Sequence, residues 1–69
     1  MEIRAELTGV VWQVLVSIGE EIAGNQDVVI LESMKMEIPI ESERGGKVKE
    51  IKVQEGDFVN EGDVLVVVD

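Results

Sequence analysis

Few residues in this chain could do chemistry, and one of them stands apart. The chain has 69 residues, with no histidine and no cysteine, so most nucleophile–base arrangements lack a member. A Ser–Lys dyad can be drawn from Ser33 and Lys35, but these are exposed neighbours on a strand and its hairpin, with no enclosed pocket to activate the amine. Carboxylate pairs such as Glu20 and Glu21 serve general acid chemistry only inside a cleft, and so small a domain offers no obvious one. Met34 and Met36 supply two soft thioethers, a conceivable Cu(I) pair, without a third sulfur or imidazole nearby. No Gly-rich phosphate loop opens a helix, and no calcium-loop spacing occurs. What is left is Lys35, set between the two methionines in Glu32-Ser33-Met34-Lys35-Met36-Glu37-Ile38, close to mid-chain. Read plainly, it is one more exposed ammonium on a loop. Read for its position, it is a covalent attachment point for a prosthetic group, held out into solvent by the rest of the chain.

That position comes from an internal repeat. Offset by 37 residues, positions 3–32 align without gaps on positions 40–69. Ile3 meets Ile40, Gly9 meets Gly46, Val11 meets Val48, Gly19 meets Gly56 and Val29 meets Val66. Asn25 meets Gly62, and asparagine is the next best residue after glycine for the left-handed region, so the exchange keeps a turn. Each half reads as four short strands: 2–5, 10–17, 21–23 and 27–32, then 38–42, 47–53, 58–60 and 64–68. Turn residues separate them, and no helical period appears. Neither four-strand unit can bury a face alone. Together they pack as two sheets face to face about a pseudo-twofold axis. The link from Ser33 to Pro39 has no counterpart in the other half. The twofold maps it onto the place where the chain begins and ends, so Lys35 belongs at the tip opposite the termini. A tight hairpin normally centres on Asn, Asp or Gly, yet here the centre is Met34-Lys35. The repeat also aligns Trp12 and Leu15 with Lys49 and Lys52. Two readings stay open: the pair is an exposed docking patch, or the first half covers it locally.

Composition narrows the class. One small domain spans 1–69, and stability must come from packing alone, since disulfides, zinc and haem sites lack their usual ligands. The formal net charge of -9 argues against nucleic acid and anionic membrane surfaces. It suits either a solvated surface or steering toward basic docking faces. No apolar run reaches the ~18 residues of a spanning helix, the N-terminus does not read as a signal peptide, and the lack of cysteine fits the cytoplasm.

Glu32-Ser33-Met34-Lys35-Met36-Glu37 resembles the attachment motif of the biotinyl/lipoyl domain family, which includes the biotin carboxyl carrier proteins. The resemblance runs through the paired segments Val16–Ile22 and Val53–Val59 and the closing Gly62-Asp63-Val64-Leu65. Flanking methionines are the mark of biotin acceptors rather than lipoyl acceptors. Two departures lie away from the hairpin: Ala5-Glu6-Leu7-Thr8-Gly9 has no prolines, and Asn25 stands where glycine is usual. With no Ala/Pro-rich linker, the chain is similar to the free-standing biotin/lipoyl attachment proteins; an excised C-terminal domain of a larger carboxylase is the other reading.

The resemblance implies an all-β fold, a flattened barrel of two four-stranded antiparallel sheets. It implies biotin on Lys35, joined by a biotin protein ligase that must also remove the proton from the amine. It implies partners in biotin carboxylase and carboxyltransferase subunits, with an acyl-CoA such as acetyl-CoA as acceptor, as in fatty acid biosynthesis. The carrier itself would be no enzyme, only a tether that raises effective concentration. Met34 and Met36 become adaptable contacts for the ligase, or plain hairpin packing. Ser33 belongs to the same recognition stretch, and Glu32 and Glu37 would keep the hairpin out of the wrong ligase. Lipoate, alone or as a second cargo, is the alternative. An unmodified adaptor module on the same fold is the alternative of another class.

Overall fold

The computed structural model describes all residues, 1–69. It consists of eight strands: β1 (Glu2–Arg4), β2 (Gly9–Val14), β3 (Glu21–Ile22), β4 (Asp27–Ser33), β5 (Met36–Glu41), β6 (Gly46–Ile51), β7 (Phe58–Val59) and β8 (Val64–Val68). They form two four-stranded antiparallel sheets, in the orders β1-β8-β6-β3 and β5-β4-β2-β7. The all-β, two-sheet architecture expected from the sequence is present.

The sheets do not coincide with the halves of the repeat. Each takes two strands from each half, and the 37-residue offset turns one strand order into the other. The match extends to register. Val11 opposite Leu31 recurs as Val48 opposite Val68, and Gln13 opposite Ile30 recurs as Glu50 opposite Val67. A bulge follows Val11 in one ladder and Val48 in the other. Interlocking explains why neither half could stand alone. The edge strands β1 and β3 find their hydrogen-bond partners only in the second half.

β1, β3 and β7 each end one residue before the expected end and β5 begins at Met36, two residues before its expected start, while two strands fall shorter still. The stretches expected at 10–17 and 47–53 end at Val14 and Ile51. Beyond Val14 the chain crosses between sheets. The Leu15 N–H still donates to the Val28 carbonyl at 2.9 Å, but the Gly19 N–H already donates to Val48 in the other sheet at 2.8 Å. Val16, between them, is buried. Alternation records which side chains are inside, and a crossing segment satisfies it without ladder partners.

The core is one cluster of 14 buried apolar residues, all aliphatic, centred on Val11, Leu31, Ile40, Val48 and Leu65. Neither aromatic residue belongs to it. β-Branched side chains on short, strongly twisted strands fill this space closely. The Asn25–Gly62 exchange behaves as expected, with φ of 64° and 92°. The chain ends are tied together, since the Met1 ammonium donates to the Val68 carbonyl at 2.6 Å. Val68 takes the place in its ladder that Leu31 takes in the other, where Leu31 pairs with Ile38. The twofold therefore exchanges the β4–β5 hairpin with the termini, and the hairpin lies at the opposite end of a molecule 31 Å long.

Candidate functional site

Lys35 sits at the turn of the β4–β5 hairpin. The ladder runs Leu31 to Ile38, Glu32 to Glu37 and Ser33 to Met36, leaving Met34 and Lys35 as a two-residue loop. Their φ angles are 53° and 65°. Positive φ at both central positions is the signature of the primed type I turn, whose twist suits adjoining strands and which normally takes Asn-Gly. Neither residue here relieves the steric cost of the left-handed region, which is about 1–2 kcal/mol for each ordinary side chain. The hairpin is therefore closed by its flanking ladder, not by its turn residues.

The side chains point into water. Met34 is 91% exposed and Met36 62% exposed, so neither side chain is taken into the core. Lys35 is exposed and takes part in neither of the two ion pairs of the molecule, Arg4–Glu2 and Lys52–Glu50. Ser33 is half-buried and makes no hydrogen bond to the lysine, so the two do not form a dyad. Glu32 and Glu37 are exposed and directly opposed. Like charges in that arrangement work against the ladder.

Beneath the hairpin the backbone comes unusually close. A Cβ built on Gly9, the first residue of β2, would lie 2.6 Å from the Glu32 carbonyl oxygen and 3.4 Å from the Ser33 Cβ. Glycine at this position lets β2 lie close against Glu32 and Ser33, the last residues of β4.

The sheet that carries the hairpin presents an apolar outer face. Registers place Phe58, Val10, Glu32 and Glu37 in one row across β7, β2, β4 and β5. Trp12 is 43% exposed, Leu15 42% and Phe58 67%. The open question about Trp12 and Leu15 is answered: both are exposed. Phe58, Val10 and Ile18 join them, and sequence reasoning passed over these three. The repeat offset could have found them, because it sets them against Glu21, Lys47 and Glu55.

Comparisons with known proteins agree on one kind of molecule. The family model described as "Biotin-requiring enzyme" matches residues 1–68. The chain is 56% identical over 66 residues to the biotin/lipoyl attachment protein of Bacillus subtilis, covering 96% of this chain and 90% of that one. It is 41% identical over 64 residues to the biotin carboxyl carrier protein of Streptococcus mutans, covering 93% of this chain and 49% of that one. Among solved structures, the Kluyveromyces lactis urea carboxylase superposes with a TM-score of 0.94 at 30% identity, over 100% of this chain and 6% of that one.

Proposed function

The chain belongs to the biotin/lipoyl attachment family of biotin-requiring enzymes and is a biotin carrier domain, and on that premise we propose that Lys35 is its attachment residue. The observation that carries this is the placement of Lys35: an exposed amine without an ion pair, at the tip of a primed turn at the end away from both termini. An acyl group fits there, because an amide on Nζ displaces no packed side chain. When bound, biotin supplies a ureido nitrogen that takes up and gives off a carboxyl group.

The residues around the lysine have separate tasks. Lys35 Nζ, deprotonated by a base of the biotin protein ligase, attacks the acyl carbon of biotinyl adenylate, so that an amide forms and AMP leaves. Met34 and Met36 offer the ligase flexible thioethers that adapt to its surface. Ser33 and its partner Met36 close the ladder that aims the turn. The domain then acts as a tether, holding its cargo at high effective concentration between a biotin carboxylase site and a carboxyltransferase site. An acyl-CoA such as acetyl-CoA is the proposed acceptor.

Intact-mass analysis after co-expression with a biotin protein ligase tests the reading. One biotin adduct is expected on wild type and none on Lys35→Arg. An adduct that persists in the arginine variant removes Lys35 from the role. A second reading is favoured by one relative's name, which couples biotin with lipoyl attachment. Co-expression with a lipoate ligase would then add lipoate at the same lysine.

A further inference from the structure

We propose that the outer face of the β5-β4-β2-β7 sheet, centred on Val10, Trp12 and Phe58, is the surface on which the biotin protein ligase docks. This rests on the reading of Lys35 as the attachment residue and adds the surface and chemistry of its partner.

The molecule contains its own control. The outer face of the other sheet has the same backbone, register and bulge. On that face, Lys47 stands in place of Val10, Lys49 in place of Trp12, Lys52 in place of Leu15 and Glu21 in place of Phe58. The same backbone therefore accommodates charged residues at these positions. Folding does not demand the apolar ones, and exposing a tryptophan and a phenylalanine to water brings the isolated domain no stabilisation. Large apolar side chains gathered on one face mark an interaction surface, and Trp is the residue most often found to anchor one.

Reach selects the occupant. An unmodified lysine has only its four-carbon stem, so an enzyme acting on Nζ must close directly over the hairpin. A specific protein interface covers about 800 Å² on each partner, roughly a fifth of the 4225 Å² that this domain exposes. Two turn residues cannot supply that area. The row Phe58–Val10–Glu32–Glu37 begins immediately behind the turn and is continuous with it.

Charge gives the partner's character. Glu32 and Glu37 oppose each other without a cation, at a cost that a basic side chain from outside would remove. The docking face of the ligase thus has an apolar centre with basic residues on the side toward the lysine.

The experiment transplants the control. In the variant Val10→Lys, Trp12→Lys, Phe58→Glu, each residue becomes its twofold counterpart. Steady-state biotinylation by purified ligase should show KM raised at least about tenfold, with kcat within about twofold and full modification of Lys35 at saturation. The opposite-face variant Lys47→Ala, Lys49→Ala should match wild type. Amide hydrogen exchange checks the fold; if the triple variant is unfolded, Phe58→Glu alone carries the test, with a smaller KM rise. An unchanged KM in a folded variant overturns the proposal, as does sedimentation showing that wild type dimerises through this face. No adduct on wild type would instead bring down the attachment reading itself.

Discussion

Gly9 lies so close under Glu32 that a single added methyl group would stand 2.6 Å from its carbonyl oxygen. The same relationship recurs 37 residues on, where a Cβ on Gly46 would meet the Asp69 carbonyl oxygen at 2.5 Å. One contact lies under the hairpin and the other under the chain end. Both glycines should resist substitution, and Gly9→Ala and Gly46→Ala should each lose about 1–3 kcal/mol in urea denaturation, the usual range for overpacking. Only Gly9→Ala should also lower the rate of Lys35 modification in the folded protein, because only there does the displaced backbone lead into the turn. Equal rates for the two variants would detach Gly9 from the hairpin.

Turn strain is separable from turn recognition. Met34 holds a φ of 53°, a conformation that asparagine tolerates far better. Met34→Asn is expected to stabilise the domain by about 0.5–1 kcal/mol, read as a higher urea midpoint at constant slope. If the thioether is a ligase contact, the same variant is modified more slowly. A stabler protein that is a poorer substrate would show that the strained residue is kept for its side chain.

Asn25 and Gly62 occupy equivalent left-handed turns. Asn25→Gly should be close to neutral, whereas Asn25→Ala should cost about 1 kcal/mol, since alanine has neither the freedom nor the local hydrogen bonds for that region. Thermal unfolding of the two variants side by side decides this.

The charged outer face has a pH signature. Lys52 donates to Glu50 at 2.8 Å. That hydrogen bond, with the lysine's charge, holds the Glu50 carboxyl below the ordinary glutamate range, and the same bond holds Lys52 above its ordinary value. The carboxylate's contribution is present above the unfolded glutamate pKa of about 4.3 and fades as pH falls through the lowered folded value. The ammonium's contribution is present below about 10.4 and fades as pH rises through the raised folded value. The pair is exposed, so its effect on stability is small. In Lys52→Met, the Glu50 carboxyl followed by NMR should titrate at higher pH, with little change in thermal midpoint at pH 7.

Glu32 and Glu37 give a test in the opposite direction. Removing their opposed charges with Glu32→Gln and Glu37→Gln should raise stability by a few tenths of a kcal/mol up to about 1 kcal/mol. The double variant should also weaken the salt dependence of KM for the ligase, because screening acts on the charges that have been removed. A salt dependence identical to wild type would place the partner's basic residues elsewhere.

The 37-residue offset implied that the two sheets would repeat each other, and every pairing of the β1-β8-β6-β3 sheet does recur in the β5-β4-β2-β7 sheet, but which strands pair was not legible. Strand ends were less legible. Residues 15–17 look like strand from their apolar alternation, yet they form a crossing between sheets, and local pattern does not reveal which neighbour accepts a hydrogen bond. Lys35 was singled out by its place on the unrepeated link, and Met34 and Met36 by the resemblance of their stretch to the family's attachment motif. Phe58 and Val10 were not recognised, because a valine or a phenylalanine taken within its own short strand reads as core; their counterparts Glu21 and Lys47 in the other half carried the missing signal.

By itself, then, the sequence determined an all-β domain of two like halves and one lysine on the single unduplicated turn. Those features depend on residue type and spacing along the chain. Tertiary structure decided the exchange of strands between sheets, the left-handed backbone of Met34 and Lys35, and the opening of Trp12 and Phe58 to solvent. Each of these depends on which strands come to lie side by side. In a twofold fold, the same alternation serves an inner and an outer face; charged counterparts in the other half point to the outer one, and the packing of one sheet on the other decides it.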